Sequence, residues 1–187
     1  IAGGVAAVVA VLQSTAATRS ELDALHQTFA SRVAMEIVSA DASAFSQDDL
    51  PSVADEAGVE AAVPIFNVFS KVIAEGGEAR GITIGVDMEQ YRSVRDFEIT
   101  SGRICSEYND ACVEANVAES LGIAVGDEIR LGARGLPWLL PKKVVGILKP
   151  LGVGAVEETA SVFLTLPAGS TLGKAPRKVT ALQIVLA

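Results

Sequence analysis

Two cysteines, one histidine and a few spaced acids are the side chains in this sequence that could do chemistry. Cys105 and Cys112 stand in "ICSEYNDAC". Their spacing fits neither a zinc knuckle nor a CxxC redox pair. Two readings stay open: a pair of buried thiols, or a local disulfide clamping a loop, which requires an oxidising compartment. With His26 as the single histidine, a histidine-rich metal site is excluded. It falls on the polar or boundary side of an expected helix, with no GxSxG motif or cysteine nucleophile beside it. Asp87 and Glu89 in "GVDMEQY" occupy alternate positions of a turn, which does not set an acid and a base across a substrate. Asp87 reads instead as the cap of the next turn. Asp48, Asp49, Asp55 and Glu56 read as a solvated helix face.

The glycine-rich stretches do not cradle phosphate. "ESLGIAVGDEIRLG" has no GxxxxGK[ST] and no lysine where a phosphate would need one. Gly122 stops a short helix there, and Gly126-Asp127 turns the chain into a strand in which Ile129 and Leu131 alternate with Glu128 and Arg130. "GVGAVEE" lacks the strand-to-helix setting of a GxGxxG loop and reads as a connector. No catalytic, cofactor-binding or metal-binding residue emerges.

The elements around these residues form an α+β pattern. The chain has 187 residues, enough for one domain or two small subdomains sharing a core. Aromatics supply only 5% of it against 50% hydrophobic residues, so Ala, Val, Ile and Leu carry the burial. The net charge of −8 opposes phosphate backbones and anionic lipid heads, which argues against nucleic acid as a partner and against electrostatic membrane docking. "IAGGVAAVVAVLQSTAAT" carries no charge before Arg19 and leaves three readings: the outer end of a transmembrane helix, a signal-peptide remnant, or a buried helix. Ser14–Arg32 keeps a helical period, with Leu22, Leu25 and Phe29 on one face. "RVAMEIVSA" predicts a half-buried strand with Val33, Met35 and Ile37 on one side. Ser46 is expected to cap a helix that Gly58 ends. "VEAAVPIFNVFSKVIAEGGEARGITIGVD" predicts a long hairpin turning at Gly76-Gly77. "MEQYRSVRDFEITSGR" is expected to hold short helical or turn pieces. A short strand from Cys112, the helix "NVAESLG" and the strands "DEIRLG", "KKVVGILKP" and "SVFLTLP" follow. "LGVGAVEET" reads as a loop. The last strand, "KVTALQIVLA", is expected to return beside Val33–Val38.

Taken in order, these segments resemble the periplasmic core domain of MacB/FtsX-type ABC transporter permeases. The resemblance rests on "IAGGVAAVVAVLQS", "GVEAAVPIF", "ITIGVDMEQY", "FEITSGR", "NVAESLGIAVGDEIRLG", "KKVVGILKPLGVG" and "SVFLTLPAGSTLG", and so covers nearly the whole chain. It implies an extracytoplasmic domain at the cell membrane, between the first and second transmembrane helices, facing the periplasm or cell exterior. It further implies two α+β subdomains: residues 31–94 with 175–187, and an inserted β-rich unit at 95–174. Residues 1–30 would end the first membrane helix and form a stalk. The implied role is non-catalytic: ATP-driven change is transmitted across the membrane, without cofactor or metal. The implied partners are a cytoplasmic ABC ATPase, a second permease copy as dimer, and a periplasmic adaptor or substrate. Gly85, Asp87, Gly102, Arg103, Gly122, Gly126, Asp127 and Gly146 fall in the matched motifs and are expected to shape turns. The cysteines depart from the family pattern, so a Cys105–Cys112 disulfide would be a local addition worth about 2–3 kcal/mol. The alternative to a permease domain is a freestanding secreted or lipid-anchored binding domain of the same fold.

Overall fold

The structure, a computed structural model, describes residues 32–40, 43–49, 53–149 and 160–187. The expectations for residues 1–31 and for "LGVGAVEET" lie outside them. The described chain begins with β1 (Met35–Val38), β2 (Phe45–Ser46), a 3-10 turn (Gln47–Asp49), β3 (Val59–Ala74) and β4 (Gly77–Val86). It continues through α1 (Met88–Val94), β5 (Ile99–Gly102), β6 (Asp110–Glu114), α2 (Ala115–Leu121), β7 (Glu128–Ala133) and β8 (Leu140–Leu148). β9 (Ala160–Leu164), α3 (Leu166–Leu172), β10 (Lys178–Val179) and β11 (Ala181–Leu186) complete it. This is an α+β fold.

The long hairpin is the spine. Its β-branched and aromatic residues favour extended chain, and β3 pairs β4 from Ile65↔Val86 to Ala74↔Gly77. The other edge of β3 has two successive neighbours. β11 pairs it from Val59 to Ile65, and β7 takes over from Ser70 to Ile73. Thr180 spans the gap: its N–H donates to the Ile65 carbonyl, and its hydroxyl accepts from the Asn67 N–H at 2.8 Å.

Six strands close a ring, β3-β4-β9-β6-β8-β7 and back to β3. β4–β9 and β6–β8 are parallel and the other pairs antiparallel. A ring this small is filled by side chains. Val72, Ala111, Val113, Ile129, Leu131, Val144, Val162 and Leu164 form that buried cluster. Ser70 and Thr83 pair their buried hydroxyls at 2.6 Å, so neither is left unsatisfied. α2 adds Val117, Ala118 and Leu121, and α3 adds Ala168 and Leu172. The two helices close opposite ends, since the Leu121 carbonyl meets Gly76 at the hairpin turn and Gly169 meets Gly85 at the far end of β4.

A second cluster lies on the outer face. There α1 lays Met88, Tyr91 and Val94 over Val63, Ile65, Val86, Val145 and Phe163. Neighbouring residues alternate between the clusters, as Ala111, Cys112 and Val113 do on β6. Both cores draw on residues from 31–94 and from 95–174, and one sheet runs through both stretches.

Three elements differ from the sequence reading. β1 is exposed on both faces instead of half-buried. It ends the sheet among the described residues, and the core stops at its neighbour β11, whose Leu182 and Ile184 are buried. Around Ser46 a 3-10 turn forms, with the Ser46 hydroxyl accepting from the Asp48 N–H, in place of the start of an α-helix. "LPAGSTL", whose Leu166 and Pro167 were expected to end the strand "SVFLTLP", is the helix α3 with Pro at its start.

Gly85 tests the packing. A Cβ there would stand 2.8 Å from the Gly169 Cα, where backbone faces backbone and no rotamer gives relief. Gly85→Val should therefore cost about 3 kcal/mol, read as a lowered urea midpoint. An unchanged midpoint would mean that α3 does not cross β4 at this closeness.

Candidate functional site

The residues with unusual chemistry converge on one corner, the loop from β5 to β6. Gly102 ends β5 at φ +79, a backbone that favours glycine, with the Val145 carbonyl oxygen 2.1 Å from where a Cβ would be. Arg103 then turns outward. Its guanidinium donates to one Asp110 carboxylate oxygen at 2.7 Å, and that oxygen also accepts from the N–H groups of Ser106 (3.2 Å) and Glu107 (3.1 Å). Burial pushes the Asp110 carboxyl up, but the Arg103 hydrogen bond and those two N–H donors outweigh it, so the net shift is downward.

Inside this polar clasp lie the cysteines, both buried as free thiols. The Cys105 sulfur is 3.5 Å from the Phe163 carbonyl oxygen, and the Cys112 sulfur is 3.4 Å from that of Arg103. Phe163 is the register partner of Cys112 across β6–β9, so Cys105 is held over Cys112. A hydrogen bond between the thiols, followed by burial, raises the Cys105 pKa, and the same bond lowers that of Cys112.

Lys142 completes the corner. It is a fully buried lysine in the strand position opposite Ile129. Its ammonium donates to the Tyr108 carbonyl and sits 3.9 Å from the centre of the Tyr108 ring. Desolvation lowers its pKa to about 8, against a smaller upward pull from Asp110. Sequence reading missed Lys142, although its parity with the core residue Val144 was a usable signal.

Beside this corner lies a groove of about 530 Å³, with Pro64, Val86, Met88, Ile104, Cys105 and Leu166 among its lining residues. On the sheet's outer surface, Phe69 is 78% exposed, and the β7–β8 loop presents Trp138 and Leu139. Among the described residues, no three His, Cys, Asp or Glu side chains gather as a metal site.

The expected turn residues divide into two groups. Asp87 caps α1 by accepting from the N–H groups of Glu89 and Gln90. Gly122 ends α2 in the left-handed region, and Gly126 does the same in the turn where Asp127 accepts from the Ala124 N–H. Gly85 and Gly146, by contrast, lie within strands. Each is small because a neighbouring backbone comes close: Gly169 in one case, and the Arg103 carbonyl at 2.1 Å from a Cβ in the other.

None of these features assembles a nucleophile with a base. What they build is a braced corner on a closed barrel, and that architecture has relatives. The model of the MacB-like periplasmic core domain family matches residues 1–186. The chain belongs to this family. By fold it is similar to the extracellular domain of the noncanonic ABC-type transporter YknZ from Gram-positive bacteria, with TM-score 0.60 and 16% identity over 76% of this chain and 73% of that one. It is also similar to the periplasmic region of MacB from Actinobacillus actinomycetemcomitans, with TM-score 0.60 and 9% identity over 81% and 66%. No curated relative matches by sequence. As a MacB-like domain, the chain is of the kind found outside the membrane in ABC transporter permeases. Among the described residues, no helix is long and apolar enough to cross a membrane.

The clasp has a pH signature. Because folding lowers the Asp110 pKa, its stabilisation is present above the unfolded carboxylate value of about 4 and is lost as pH falls through the folded value. Asp110→Asn should cost about 1–2 kcal/mol at pH 7, and its gap to the wild type should narrow below about pH 4. Urea titrations at neutral and acid pH measure both; an equal gap at the two would assign the effect to shape rather than charge.

Proposed function

We propose that this domain transmits force in an ABC transporter permease. In this reading ATP turnover by a cytoplasmic ATPase moves the domain, which passes the motion to a substrate or periplasmic adaptor, and two permease copies act as a pair. One observation carries it. β1 and β11 are antiparallel, with Met35 opposite Ile184 and Val38 opposite Ala181. A segment arriving at residue 34 and one leaving after residue 186 therefore sit at the same end of the sheet. A displacement applied there enters two hydrogen-bonded strands together and passes through β3 into the barrel.

Residues 95–174 supply most of the barrel, and in this proposal they are the part carried farthest. β3 starts at Val59, opposite Leu186, and runs for 16 residues to the hairpin tip, which lengthens the arm. The outward-facing Phe69 and Trp138 lie along that arm or the adjoining loop. Close-packed interiors deform little, so the motion is a tilt rather than a bend.

Cross-linking the two copies of the domain in the full permease should abolish transport while hydrogen exchange shows the fold unchanged. Transport at the uncross-linked rate with the domains locked together would overturn the proposal. The domain contributes no chemistry in this reading, and the 187-residue chain should show no saturable ATP binding by calorimetry. Saturable binding removed by a point substitution within this chain would oppose it.

A further inference from the structure

We infer that Cys105 and Cys112 are an oxidation site, where a disulfide joins the β5–β6 loop to the centre of the sheet beneath α1. This goes beyond the transport role and does not depend on it. Two hydrogen-bond closures bring the thiols together. The Arg103–Asp110 ion pair folds the loop back on itself, with Arg103 two residues before Cys105 and Asp110 two residues before Cys112, and the Arg103 N–H donates to the Val145 carbonyl at 2.9 Å. The Phe163 carbonyl, directly across from Cys112 on β9, receives Cys105. Gly146 leaves room for the Cys112 sulfur, which stands 3.1 Å from where a Cβ would lie. These contacts hold Cys105 over Cys112 before any bond forms.

The two cysteines differ in access. Cys112 is wholly buried, whereas Cys105 lines the groove between α1, the β5–β6 loop and the start of α3. The co-reactant is a disulfide, small or protein-borne, that reaches the pair through this groove. One cysteine sulfur attacks it, forming a mixed disulfide and releasing one thiolate. The second cysteine sulfur then attacks the first, forming the Cys105–Cys112 bond and releasing the other thiolate. The pair loses two electrons and two protons, and the reactant disulfide is reduced to two thiols.

The consequence is mechanical. Cys105 and Cys112 both belong to the cluster under α1, with Met88, Tyr91 and Phe163. Oxidation would fix the groove wall to β6 and leave the barrel interior untouched.

The test uses the 187-residue chain equilibrated with oxidised and reduced glutathione over a range of ratios. The readouts are alkylation of the denatured protein, intact mass and thermal melting. The expected oxidised species is a monomer two hydrogens lighter with no alkylatable thiol. Its Tm should exceed that of the reduced form by roughly 5–10 °C, the size expected for a short closed loop. Cys105→Ser should abolish the rise and leave Cys112 without a stable glutathione adduct, because it is wholly buried. Two alkylatable thiols after the most oxidising incubation would overturn the inference. So would a wild-type chain that stops at a glutathione adduct, or an oxidised form melting below the reduced one. The wild-type titration decides the matter even where a serine variant does not fold.

Discussion

The fold depends on how the one long strand satisfies its backbone. β3 presents sixteen residues of N–H and C=O groups, and buried groups of this kind must be paired. β4 pairs one edge from Ile65 onward. The other edge is divided, with β11 covering the first part and β7 the last. The ring closes because β7, which covers the last part, also pairs β8. Because the neighbour changes, the half of β3 near Val59 lies in an extension with β11 and β1, while the half near Val72 lies in the closed ring. Thr180 bridges the change, its N–H donating to the Ile65 carbonyl where β11 leaves the edge and its hydroxyl accepting from the N–H of Asn67, which neither β11 nor β7 pairs.

β8 repeats the arrangement on the far side. β6 runs along one edge from Lys143 to Leu148, while the other edge passes from β7 at Leu140–Lys143 to β5 at Gly146–Leu148. The exchange happens where Gly102 and Gly146 face each other and backbone carbonyls approach closer than a side chain permits. The braced corner with Arg103, Asp110 and the cysteines is therefore a product of barrel closure. The chain must leave β5 sharply to let β7 reach β8, and polar side chains hold the departing loop. Lys142 sits at the same passage. A buried ammonium is costly unless it finds partners, and the Tyr108 carbonyl and ring supply them.

How much of this was legible in the sequence follows from the range of each interaction. The hairpin, which turns at Glu75-Gly76 one residue before the expected Gly76-Gly77, the helix ended by Gly122, the turn at Gly126-Asp127 and the Asp87 cap depend on residues a few positions apart, and all could be read. The return of the last strand beside residues 33–38 was also expected, and it forms as Val38↔Ala181 through Met35↔Ile184. Closure was not legible, because β4–β9 and β6–β8 join distant stretches through parallel pairings that leave no local signature. α3 was missed because "LPAGSTL" is poor in helix formers. Its Gly169 is set by the approach of Gly85, more than eighty residues earlier, a constraint no window of sequence contains. For the same reason Gly85 and Gly146 looked like turn residues when they are contact residues.

The two cores explain why such a domain can be both stiff and adaptable. The barrel interior is sealed by α2 and α3 at opposite ends, and its one prominent polar pair, Ser70 and Thr83, is satisfied internally. The second core is open on one side, because α1 is a two-turn helix that leaves the groove beside Met88 and Ile104 uncovered. Change is cheaper there: a side chain at the groove can shift without opening a cavity in the barrel. α1 also touches both β3 and β11. In the proposed role, a movement entering beside residues 34 and 186 would meet the groove-side core first and the barrel second, an order set by which half of β3 each neighbour covers.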